Sequence, residues 1–138
     1  MDAPSVLVVD DEEDFVNLLL KRLKRKGMYC DGALSRIGAM AKLKEHSFDA
    51  VLLDMKLADE NGNDVLREIK QSSPDTEVII LTGYASASAG REGLDCGASD
   101  YLIKPVEFET LYERLKDACR ESMDAANSRA PETRQPNS

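Results

Sequence analysis

Short apolar runs alternate along this chain with stretches of helical periodicity. Ser5-Val-Leu-Val-Val9 is a continuous β-branched and apolar run that predicts a central strand. Phe15, Leu18, Leu19, Arg22 and Leu23 recur at helical spacing, with Gly27 as the stop. Met28 to Ala33 predicts a second strand, and Ser35 caps a helix carrying Ile37, Met40, Ala41 and Leu43. Ala50 to Leu53 is apolar on both faces, as a parallel strand covered by helices on both sides requires. An irregular loop from Met55 closes on the turn signal Asn61-Gly62, and Val65, Leu66 and Ile69 follow at helical spacing. Glu77 to Leu81 predicts the fourth strand. Tyr84 to Gly97 reads as a helix of low propensity, because Gly90 and Gly93 interrupt it. Asp100 to Ile103 is a short last strand, and Phe108, Leu111, Leu115 and Ala118 share one face of a last helix.

Five strands alternating with five helices predict an α/β fold with one parallel sheet and right-handed crossovers. The flavodoxin-like order 2-1-3-4-5 is one of two orders worth weighing, and it puts the strand ending at Asp54 in the centre. The domain is expected over residues 5–121, after a flexible N-terminus of residues 1–4. Residues 122–138 turn to Ser, Asn, Pro and Arg and are expected to be a disordered polar tail.

Composition narrows the function. With 138 residues, 42% apolar and 32% charged, the chain suits a single globular domain. A net charge of −8 argues against direct nucleic-acid binding. No apolar run is long enough to span a membrane, and the first residues lack the basic and apolar regions of a signal peptide, so a cytoplasmic location is expected. The three cysteines (Cys30, Cys96 and Cys119) form no CxxC pair and read as reduced thiols. His46 is the sole histidine and reads as a solvated surface residue, which leaves little basis for serine-hydrolase or histidine-rich metal chemistry.

The polar residues that end the strands carry the chemistry. Asp54 closes a buried strand, and packing does not explain a carboxylate there. In the 2-1-3-4-5 order its neighbours end at Asp10-Asp11 and at Thr82, with Lys104 one strand further, all within roughly 15 Å. Crowded carboxylates require a compensating cation. Lys104 supplies one charge, and magnesium, which takes carboxylate oxygens, waters and a phosphoryl oxygen, would supply more. The set predicts phosphoryl chemistry with a carboxylate nucleophile. Each residue alone would more simply be an ordinary polar loop starter.

Val-Leu-Val-Val-Asp10-Asp11-Glu, Val-Leu-Leu-Asp54-Met, Ile-Ile-Leu-Thr82-Gly and Asp-Tyr101-Leu-Ile-Lys104-Pro105 together resemble the receiver domain of two-component response regulators. The resemblance covers about residues 5 to 121, with each motif in the family's order. It implies that Asp54 is the phosphoacceptor, loaded from a phosphohistidine on a sensor histidine kinase or a histidine phosphotransfer protein. It implies a magnesium site made of Asp10, Asp11, Asp54 and the Lys56 backbone carbonyl. Thr82 and Lys104 would bind the phosphoryl group, Tyr101 would be an aromatic switch, and the Lys104–Pro105 bond would be cis. The downstream partner is left unspecified, as is the choice between a monomer and a phosphorylation-dependent dimer.

Ala58 stands where the family usually has proline, which predicts a less rigid loop. Lys56 and Tyr84 occupy positions that tune phosphoryl lifetime in the family, and bulky residues there predict a longer-lived phosphorylated state. Three alternatives stay open: a receiver fragment of a longer transcriptional regulator, a non-phosphorylated interaction module, and a magnesium-dependent aspartyl phosphohydrolase. The last would need an acid/base residue where Lys56 stands.

Overall fold

The computed structural model describes residues 3–57, 60–83 and 94–134, and for Glu60, Thr82 and 128–134 the backbone alone. The main sheet has five parallel strands, numbered here in chain order: β1 (Ser5–Val9), β2 (Tyr29–Ala33), β3 (Ala50–Leu53), β4 (Glu77–Thr82) and β5 (Asp100–Ile103). Their spatial order is 2-1-3-4-5, the flavodoxin-like one of the two orders weighed from the sequence. Helices α1 (Glu13–Arg25), α2 (Arg36–Glu45), α3 (Gly62–Ser72) and a C-terminal helix (Phe108–Arg134) cover the two faces. Most of the helix expected at Tyr84–Gly97 lies outside the described residues.

Strand periodicity sorts the core into two layers, because successive side chains point to opposite faces. Val6, Val8, Leu52, Ile79 and Leu81 pack with Leu19, Leu23, Leu111 and Leu115, under α1 and the C-terminal helix. Leu7, Val9, Val51, Leu53 and Ile80 pack with Ala39, Val65, Leu66 and Ile69, under α2 and α3. Strands β1 and β3 are buried at every core position, which is why their sequences read as unbroken apolar runs.

Four details differ from expectation. On α1 the buried positions are Val16, Leu19 and Leu23, while Leu18 is 57% exposed and Phe15 only partly buried. On α2 the fully buried residue is Ala39, and Ile37 faces solvent, although Ser35 caps the helix as expected by accepting from the Gly38 N–H at 3.0 Å. The loop after Asp54 is ordered as an antiparallel ladder pairing Lys56–Leu57 with Glu60–Asn61. Gly62 is therefore the first residue of α3, capped by the Asn61 side chain, and not the second half of a turn.

The fourth difference is the tail. The C-terminal helix runs on to Arg134, where a disordered tail was expected from residue 122. Ser122 is 4% exposed, and its hydroxyl donates to the Asp75 carbonyl at 2.6 Å. Polar composition misled here because Met123, Ala125, Ala126 and Ala130 are good helix formers.

Candidate functional site

Ladder geometry delivers the acidic residues to one edge. The Asp10 N–H donates to the Ala33 carbonyl at 3.1 Å, and the Asp54 N–H to the Val9 carbonyl at 2.9 Å. Both bonds extend the β1–β2 and β1–β3 pairings by one residue beyond the strands, so the two aspartates leave the sheet side by side at its C-terminal edge. Carboxylate oxygens of Asp10, Asp11 and Asp54 lie within 4.8 Å of one another. Asp10 and Asp54 are buried, at 2% and 8% exposure, and Asp11 is exposed.

Each buried carboxylate is oriented by a backbone donor two residues on. The Glu12 N–H donates to Asp10 Oδ1 at 2.9 Å, and the Lys56 N–H donates to Asp54 Oδ1 at 3.1 Å. The Lys56 side chain is exposed. Close approach of Gly62 to Met55 fixes the path of the segment after Asp54: a Cβ on Gly62 would lie 2.5 Å from the Met55 carbonyl oxygen.

Lys104 comes from the far side of β4. It follows β5, and the Lys104–Pro105 bond after it is cis. Its ammonium lies 2.8 Å from Asp10 Oδ2, 3.1 Å from Glu12 Oε1 and 3.6 Å from Asp54 Oδ2. It also sits over the Phe15 ring, 4.5 Å from the centroid. Thr82 ends β4 opposite Ile103, with its backbone at the same edge of the sheet. Tyr101 pairs with Ile80 in the register and is partly buried on the α2–α3 side. Tyr84 lies outside the described residues.

The electrostatics follow from crowding. Burial raises the Asp54 carboxyl above its ordinary value, and the neighbouring charges of Asp10 and Asp11 push the same way. The Lys56 N–H and the Lys104 charge oppose that rise without cancelling it. Burial alone would lower the Lys104 ammonium, but its bonds to Asp10 and Glu12 outweigh burial and raise it. One ammonium thus faces a cluster whose charge it does not neutralise. The oxygen-only donor set of Asp10, Asp11 and Asp54 fits a hard divalent cation such as magnesium.

Sequence reasoning pointed to Asp10, Asp11, Asp54 and Lys104, and the fold brings them together. It missed Glu12 and Phe15 as neighbours of Lys104. Glu12 reads as one more member of an acidic run suited to a helix start, and Phe15 as a core position. Nothing local to either residue signals a partner about ninety positions away.

Comparisons agree with this geometry. The model of the family described as the response regulator receiver domain matches residues 6–116. The transcriptional regulatory protein ZraR of Salmonella typhimurium is 38% identical over 113 residues, which are 82% of this chain and 26% of ZraR. CutR of Streptomyces coelicolor is 35% identical over 111 residues, 80% of this chain and 51% of CutR. The chain thus spans about a quarter of ZraR and half of CutR. Among solved structures, a CheY-like receiver domain from Methanospirillum hungatei superposes with a TM-score of 0.84 at 28% identity, covering 90% of this chain and 99% of that one. The beryllofluoride-activated NtrC4 receiver domain dimer gives 0.80 at 35% identity, covering 86% and 98%. With its sheet order, its acidic edge and its facing lysine all accounted for, the chain belongs to the response regulator receiver domain family.

Proposed function

We propose that Asp54 is the phosphoacceptor of a two-component phosphorelay. The observation that carries this reading is the convergence of three carboxylates and one ammonium at the end of the central strand. An Asp54 oxygen attacks the phosphorus of a phosphohistidine on a sensor histidine kinase or a histidine phosphotransfer protein. The new P–O bond forms as the P–N bond breaks, and the electron pair returns to the imidazole. Asp10, Asp11, Asp54 and the Lys56 carbonyl would hold magnesium, which supplies positive charge against the phosphoryl oxygens. Lys104 pairs with one phosphoryl oxygen, and the Thr82 hydroxyl donates to another. Tyr101 then turns inward, altering the surface around β5 and the C-terminal helix that a downstream partner reads. The domain acts as a signalling module in the cytoplasm and assists only its own phosphorylation and dephosphorylation.

Incubation with magnesium and acetyl phosphate tests this, with intact mass as the readout. A single phosphoryl adduct is expected on the parent protein and none on Asp54→Ala. An adduct that persists in Asp54→Ala would move the acceptor elsewhere.

A second reading is favoured by the relatives, which are several-fold to twofold longer than the matched stretch and named as transcriptional regulators. In it this chain is the receiver part of such a regulator. Because the NtrC4 receiver is described as a beryllofluoride-activated dimer, the switch here is proposed to run from monomer to dimer. Light scattering with and without beryllofluoride checks it, and an unchanged mass would leave the domain a monomeric switch.

A further inference from the structure

Lys104 has more partners than phosphoryl binding needs. Two of them, Glu12 and Phe15, belong to the entry of α1. Glu12 is the residue preceding the helix, and its N–H is tied to Asp10 Oδ1. Phe15 lies in the first turn and packs against the core layer of α1 and the C-terminal helix. Both side chains therefore project toward Lys104 from a rigid base.

The three carboxylates around the ammonium are not equivalent. The Asp10 side chain is 3% exposed and Asp54 10%, whereas Glu12 is 65% exposed. A phosphoryl group on Asp54 draws the ammonium toward Asp54, and of the two hydrogen bonds that hold it, to Asp10 and to Glu12, the one that breaks at least cost is the one whose carboxylate returns to water. That bond is Glu12–Lys104 at 3.1 Å, shorter than the 3.6 Å contact to Asp54 that phosphorylation would have to strengthen. The ammonium lies over the Phe15 ring, 4.5 Å from its centroid, and a ring face attracts a cation without competing for its N–H groups.

We propose that Glu12 and Phe15 are positioning residues for Lys104. Glu12 holds the ammonium back in the resting state and releases it to the phosphoryl group, while Phe15 keeps it over the site throughout. The inference rests on the phosphoacceptor reading of Asp54 given above.

The test measures the rate of phosphoryl loading from subsaturating acetyl phosphate with magnesium, read by intact mass. Glu12→Gln should load faster, by about two- to fivefold, the range of a part-exposed ion pair. Glu12→Asp keeps the charge but falls short of Lys104 by one methylene, so it should load faster as well. Acceleration by Gln alone would mean that charge, and not contact, is responsible, and would overturn the holding role. Phe15→Leu should load more slowly by about two- to fivefold, and Phe15→Tyr should restore the parent rate, because the ring face is what acts. In a Lys104→Ala background all these differences should vanish. Differences that persist there would show that neither residue acts through Lys104. Parent loading with indistinguishable variants would overturn this inference and leave the phosphoacceptor reading standing. A parent that takes no phosphoryl group would overturn that reading and this one together. Urea denaturation of each variant separates slow loading from loss of fold, and the Lys104 ε-methylene protons should resonate further upfield in the parent than in Phe15→Leu whether or not loading occurs.

Discussion

The ionised Asp54 carboxylate is held at a cost to the fold. Its carboxyl is raised by burial first and by its acidic neighbours second. A folded-state value above the ordinary one means that the protonated form stabilises the fold, and that this contribution is lost as pH rises through the folded value. Asp54→Asn should therefore be more stable than the parent near neutral pH, and the gain should shrink at low pH, where the Asp54 carboxyl of the parent is protonated in the folded and the unfolded state alike. Urea midpoints at the two pH values check this, and an equal gain at both would assign the effect to something other than ionisation. Burial acts on Cys119 in the same direction and pushes its thiol up to about 12, so it stays protonated and unreactive in the folded protein. At this scale Asp10, Asp11, Asp54 and Lys104 were legible only as a set, because each alone reads as an ordinary polar loop starter and the fold gathers all four at one edge. Glu12 and Phe15 were not, because each also has an ordinary role in its own helix.

Elements are decided where backbone meets backbone. The ladder after Asp54 and the start of α3 meet at Gly62, where a Cβ would lie 2.6 Å from Met55 Cα as well as against its carbonyl. Gly62→Ala should destabilise by about 1–3 kcal/mol through displaced backbone, and should slow phosphoryl loading because Met55 adjoins Asp54. Thermal melts with loading rates check both effects, and a neutral substitution would mean the segment relaxes freely. At the other end of the molecule, Ser122→Ala removes the hydroxyl that binds the Asp75 carbonyl and should cost about 1 kcal/mol in urea denaturation. No change would mean that the helix end is held by something else. Strands β1, β3 and β4 were read almost to the residue, since their unbroken Val, Leu and Ile runs have few alternatives. The helix faces were not: on α1, Leu18 satisfies the same spacing as Leu19, and only the neighbouring sheet selects which of them is buried.

At the scale of the whole molecule, metal binding should appear as stability. A ligand that binds only the folded state stabilises by mass action, about 2.7 kcal/mol at a hundredfold excess over its dissociation constant. Magnesium should therefore raise the thermal midpoint of the parent protein and leave Asp11→Ala unmoved; an equal rise in both would place the ion elsewhere. Among the described residues no helix is long and apolar enough to cross a membrane. The sequence by itself determined the five strands of the main sheet and the residue types at their ends, because burial on both faces of its central strands leaves a strong local imprint. It did not determine that the C-terminal helix continues past residue 121, since the same polar residues suit a solvated helix and a tail. Nor did it determine what surrounds Lys104. Tertiary structure decided that, by setting two strands between β5 and β1 and still bringing the ammonium onto the first turn of α1. Contacts between residues so distant in sequence depend on the sheet's order and twist, which no local pattern encodes.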